Sequence, residues 1–246
     1  QPTNHLLRQK RIFTMKSKPK SKGTGIGAPP PKGSKGILFT TDPFRTKKAL
    51  AQVLTTLEKY CPPPVQDTSG ELSLEDELKG MTQKKPVQFT PYVSEVSGNV
   101  FVRFNSDDPL AFCEKFFNAL SMTGKSECPL VVKMYPILYS GFPLSEESLP
   151  ALDPMLPLLF SGDQASTYNV LIHRAHKGDT AETHDELNAK IVAKVSGPHR
   201  PVFRGAEKAI LWISLGRNLY IGVVPKWAEW AECNIPKLCA KSQSHQ

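Results

Sequence analysis

The sequence predicts an α/β (α+β) chain in which short strands and helices alternate. Three observations carry that class. Short β-prone runs alternate with stretches whose apolar residues recur at i, i+3, i+4 and i+7, so neither an all-helix nor an all-strand packing fits. The 22 prolines among 246 residues keep every element short. No apolar run approaches the ~18 residues of a membrane span, so no membrane partner is expected.

The elements follow in order. Ile37 to Thr41 is a short β-prone run, after which Asp42 offers a helix cap and Pro43 the first helical position. Leu50, Val53, Leu54 and Leu57 form one buried stripe, and Pro62–Pro63–Pro64 end the helix. Ser73 and Asp76 suggest a capping box for a short acidic helix to about Lys79. Val87 to Val96 and Val100 to Phe104 flank Ser97–Gly98–Asn99, which reads as a hairpin. Asp108 caps a second helix from Pro109 to Ser121, and Leu130 to Tyr135 is a buried strand. Pro150, Pro154 and Pro157 break whatever helix starts near Ser145. Then come a strand (Tyr168 to His173), a helix (Ala181 to Val195), strands at Lys208 to Leu215 and Leu219 to Val224, and a short helix bearing Trp227 and Trp230.

Charge is unevenly spread. Of 31 bases and 23 acids, residues 1–35 hold nine bases (Arg8, Lys10, Arg11, Lys16, Lys18, Lys20, Lys22, Lys32, Lys35) and no acid, leaving 22 bases and 23 acids for the rest. The whole excess is in a tail of Lys, Pro, Gly and Ser that cannot bury enough surface to offset its ordering entropy, so disorder is expected over 1–35. Such a tail can displace counterions from phosphates, or serve as a nuclear or nucleolar address in a nuclear or cytoplasmic protein. Its Lys and Pro content speaks against a mitochondrial presequence, which needs an amphipathic helix. The five cysteines lack any C-x-x-C pair, and His173 with His176 has no third ligand at a suitable spacing, so no metal and no cofactor is expected. Gly23 to Gly27 mimics a nucleotide loop but has no strand before it and a Pro29–Pro30–Pro31 run after it.

The order of Gly36–Ile37–Leu38, an acidic helix, Val100–Phe101–Val102–Arg103–Phe104, Lys133–Met134–Tyr135–Pro136–Ile137 and two closing apolar strands resembles the THUMP-domain protein 1 family, over about residues 36–226. The resemblance implies a ferredoxin-like N-terminal subdomain (36–106), a THUMP domain (107–226), and a C-terminal helix and tail (227–246), preceded by the disordered basic tail (1–35). It also implies a non-catalytic adaptor, not an enzyme, that binds tRNA and presents it to a cytidine N4-acetyltransferase, the partner that consumes acetyl-CoA and ATP. The alternative is a structural or assembly RNA-binding protein, for example a ribosome-associated one, using the same surface. This chain departs from the family in carrying Ala175–His176 where an Arg-Asn pair is usual, and Gly205–Ala206–Glu207 where an Asn/Asp-Pro signature is usual.

Candidate RNA-binding residues are bases in loops and at element ends. His173, Arg174, His176 and Lys177 lie in a basic loop, and the family places RNA contacts there. Arg45, Lys47 and Lys48 sit at the start of a helix, where unpaired backbone N–H groups also favour phosphate. Lys84 and Lys85 precede the first hairpin strand. Arg200, Arg204 and Lys208 bracket Phe203, an Arg-aromatic mixture suited to an unpaired base, although core packing of Phe203 is the commoner outcome. Trp227 and Trp230 are expected to pack.

Overall fold

Six of the elements close into one antiparallel sheet with two helices. This computed structural model describes residues 29–62, 88–142, 148–162, 164–175 and 182–244. Strand β1 (Gly36–Thr41) ends at Asp42, and Pro43 opens a single 3-10 turn to Arg45 before helix α1 (Thr46–Tyr60) begins. Strands β2 (Phe89–Val93) and β3 (Asn99–Phe104) form the hairpin, helix α2 (Pro109–Thr123) follows its Asp108 cap, and β4 (Val131–Ile137) closes the sheet in the order β2-β3-β1-β4. The β-α-β-β-α-β sequence with this order is the ferredoxin-like arrangement. Phe104 meets Phe112 of α2 at 5.9 Å, so that face carries the helices. Phe101 meets Tyr220 at 5.0 Å, which sets the opposite face against the second sheet. Strand pairing joins 107–137 to the first unit, beyond the division expected at residue 106.

The second sheet has the order β5-β9-β8-β6-β7. It contains β5 (Tyr139–Gly141), β6 (Thr167–Arg174), β7 (Arg200–Pro201), β8 (Lys208–Leu215) and β9 (Asn218–Val224). β6 runs parallel to β7 and β8, and the other pairs are antiparallel. The short helix α3 (Leu156–Leu159) and helix α4 (His184–Ala193) lie alongside. β8 explains its own unbroken apolar run. Ala209, Leu211, Ile213 and Leu215 join the core shared with the first sheet, while Ile210 and Trp212 join a second core with Leu159, Leu187 and Ile191. A strand covered on both faces has no solvent face to mark with polar residues. β9 is held close to β4: a Cβ at Gly222 would strike the Pro136 carbonyl.

Two expectations are corrected at the ends of the chain. Residues 29–35 are not part of a free tail: Gly33 N–H donates to the Ser140 carbonyl at 2.7 Å, and Ser140 Oγ donates back to the Pro31 carbonyl at 3.0 Å. These backbone groups tie the segment to β5 and override its polar composition. The Trp-bearing segment 225–230 is a set of turns, not a helix, and Ala231, Glu232 and Cys233, with left-handed φ values of 48°, 63° and 57°, separate it from the helix that follows. Helix α5 (Ile235–Gln243) starts afterwards, with Asn234 accepting from the Lys237 amide. Trp227 and Trp230 pack as expected, into the first core. The basic stretch 1–28, the acidic helix near 73–79, Lys84, Lys85, His176 and Lys177 lie outside the described residues.

Candidate nucleic-acid interface

Strand register decides which of the separated bases become neighbours. Thr41 N–H donates to the Gly98 carbonyl at 2.8 Å, which puts the β2–β3 turn against the turn that carries Arg45. Glu95 of that hairpin turn reaches the β8–β9 turn, where Arg217 Nη2 lies 3.7 Å from its carboxylate. Ala175 N–H donates to the Ser214 carbonyl at 2.9 Å, so β6 ends beside the same turn. Arg45 at the end of its 3-10 turn, Lys47 and Lys48 in the first turn of α1, and Arg217 in the β8–β9 turn therefore lie at one end of the molecule, with His173 and Arg174, which belong to the last residues of β6 and not to a loop.

Arg200, Arg204 and Lys208 do not join them. Tyr168 is in register with Lys208 and Arg174 with Ser214, six residues further along β6. At about 3.3 Å per residue that is about 20 Å of strand. The candidate bases thus form two groups at opposite ends of the second sheet.

Exposure separates them further. Arg45, Lys47, Lys48, His173, Arg200 and Arg204 are exposed, and none of these makes an ion pair with a described residue. Arg174 is half-buried and its Nη1 donates to the Glu182 carbonyl at 2.8 Å, which anchors the approach to α4. Lys208 is half-buried and donates to the Leu159 carbonyl at 2.6 Å while its ammonium sits 5.6 Å from the centre of the Phe160 ring. Its charge satisfies the end of α3, so its first role is structural. Arg217 is not among the bases that the sequence singles out, since Gly216 and Asn218 on either side mark only a turn. A base at the tip of a turn between two buried strands was the available signal.

Phe203 is not in the core. It is 85% exposed, and with Tyr168 to Ile172, His184, Asn188, Pro201 and Val202 it lines a groove of about 300 Å3 along the open edge of β6. The two-residue β7 covers only Thr167 and Tyr168 of that edge. A second concavity, about 550 Å3, lies beside the start of α2, where Lys32, Lys35 and Arg103 are mixed with Asp107 and Asp108. That balance of sign does not favour a polyanion.

Four of the five thiols are buried, and Cys239 is half-buried. Cys113 lies in α2 with no exposure, and burial, with Cys233 beside it, holds its thiol well above the ordinary range. Burial raises Cys61 and Cys128 to about 11. A nucleophilic cysteine needs the opposite shift. Among the described residues no group of three His, Cys, Asp or Glu side chains is placed to hold a metal ion. Thiol titration of the native protein at pH 8 is expected to show one accessible cysteine, the half-buried Cys239, and five after unfolding. Native labelling at Cys113 would contradict this packing.

No family model matches the chain, and no curated protein matches it. Solved structures do. PH1313 from Pyrococcus horikoshii is similar with a TM-score of 0.46 and 12% identity, over 78% of this chain and 56% of that one. TrmN from Thermus thermophilus gives 0.42 and 13%, over 77% and 45%. A 4-thiouridine synthetase in complex with RNA and bound ATP gives 0.38 and 10%, over 77% and 41%. The chain spans between 41% and 56% of the length of these proteins.

Proposed function

We propose that this chain binds structured RNA, with tRNA as its ligand, and acts as a non-catalytic adaptor that presents the tRNA to a cytidine N4-acetyltransferase. The observation that carries the RNA reading is that Arg45, Lys47, Lys48, His173 and Arg217 lie at the same end of the fold, on elements linked through the Thr41–Gly98, Arg217–Glu95 and Ala175–Ser214 contacts. Beyond residue 35 the sequence has 22 bases and 23 acids, so a cluster of exposed bases there is segregation, not excess. Arg and Lys at loop tips reach phosphate oxygens without reading sequence, which suits recognition of RNA by shape. The adaptor part rests on the sequence resemblance and on the packed state of the thiols, which leaves Cys113 unable to act as a nucleophile.

The test is filter binding of tRNA to the full chain across a salt series. Each phosphate contact contributes about 0.7–0.9 to the slope of log K against log salt, so a slope of about −3 or steeper is expected. A slope near zero at all concentrations overturns RNA binding. Reconstitution of cytidine acetylation with the enzyme, acetyl-CoA and ATP, with and without this chain, then tests the adaptor role. Tight tRNA binding with no gain in acetylation would favour a structural or assembly role on the same surface.

A further inference from the structure

We propose that Phe44 is a stacking platform for an unpaired base of the bound RNA, an inference that rests on the RNA reading above. Phe44 is 99% exposed, the highest value among the exposed large apolar side chains of the described residues. A ring in that position gains nothing for the fold, since burial is what makes a phenyl group stabilising.

The backbone beneath it is nevertheless fixed. Asp42 accepts from the Phe44 amide at 2.8 Å, Arg45 N–H donates to the Asp42 carbonyl at 2.9 Å, and Thr46 Oγ1 donates to the Pro43 carbonyl at 2.9 Å. Pro43 adds its own restriction of φ. The ring is held out on a rigid turn, and the turn does not use it. A preordered aromatic loses little entropy on meeting a ligand.

Its neighbours give the ligand's chemistry. Arg45, Lys47 and Lys48 follow it in sequence, exposed and without an ion pair to a described residue. The nearby Asp42 already spends one carboxylate oxygen on the cap. A flat apolar face beside several cations is how proteins hold a single-stranded nucleotide: the ring takes the base and the cations take the phosphates. A protein hot spot sits in a well-packed, desolvated pocket near the centre of its interface, whose buried core is apolar. Among the described residues of the adjoining strands the only other exposed large apolar side chain is Val132, 43% exposed, so RNA is the better fit.

Tryptophan makes the contact visible. The native Trp212, Trp227 and Trp230 are 5%, 6% and 2% exposed, so Phe44→Trp adds an indole whose emission differs from theirs. In the full chain, Phe44→Trp is expected to keep its affinity for tRNA and for oligouridine, with the new emission quenched at saturating RNA. Phe44→Ala is expected to weaken tRNA binding by about 5- to 100-fold, in line with base–aromatic stacking, with an unchanged salt slope because no phosphate contact is lost. Unchanged affinity of Phe44→Ala, or unquenched Phe44→Trp emission at saturation, overturns the platform while leaving RNA binding in place. Wild-type protein that fails to bind tRNA overturns the RNA reading as well, and the two failures are therefore distinct.

Discussion

Truncating Trp230 to alanine is expected to destabilise the chain by about 3–5 kcal/mol, the range for removing a large aromatic from a packed core. Trp230 is 2% exposed and stacks on Phe117 of α2 with ring centres 5.0 Å apart and planes 20° from parallel. It belongs to the turn segment after β9, so the last residues of the chain complete the core of the first unit. Ala231, Cys233, Ile235 and Leu238 extend the same contact. Its buried indole Nε1 has no hydrogen-bond partner among the described residues. Trp230→Phe removes that unpaired donor, whose desolvation costs about 1–3 kcal/mol, and should therefore be much milder than Trp230→Ala. Urea unfolding of both variants, read at constant slope, checks the pair. A loss under about 1 kcal/mol for Trp230→Ala would mean that the C-terminal segment does not stabilise the core.

The same segment shows where sequence reading stops. Trp227 and Trp230 stand three apart, a spacing that a helix and a pair of turns can both produce. Helical spacing is informative for α1, where the four apolar positions Leu50, Val53, Leu54 and Leu57 repeat before a run of prolines. Two positions do not suffice. Likewise β5 and β7 were invisible, because three and two residues are too few to show alternation. Residues 29–35 looked like a tail since nothing in their composition announces hydrogen bonds to Ser140, a residue more than a hundred positions away.

The site was legible in kind and only partly in position. Exposed bases in loops could be named one at a time, but whether they meet depends on register, which no local pattern encodes. Lys208 illustrates the limit: beside an aromatic it reads as a base-stacking cation, yet its ammonium completes the end of α3. Phe203 and Phe44 show the converse. Aromatic residues usually sit in cores, so residue type alone points both inward, yet both are exposed next to arginines.

The largest functional effect is expected from the combined substitution Arg45→Ala, Lys47→Ala and Lys48→Ala. These exposed side chains make no hydrogen bond or ion pair with a described residue, so the variant should unfold like the wild type. Losing three phosphate contacts reduces the magnitude of the log K against log salt slope by about 2–3, and at ~0.1 M salt weakens tRNA binding on the order of 100-fold. Arg200→Ala with Arg204→Ala acts about 20 Å away along β6 and separates two arrangements of the RNA. A second drop in slope means that one RNA spans both ends of the second sheet; no drop confines docking to the end that holds Phe44 and Arg217. Lys208→Ala serves as the control, because removing a cation that serves a helix end should lower stability before it lowers the slope. If the triple variant keeps the wild-type slope, the cations at the start of α1 do not touch phosphate, and the convergence of loops at that end has another purpose.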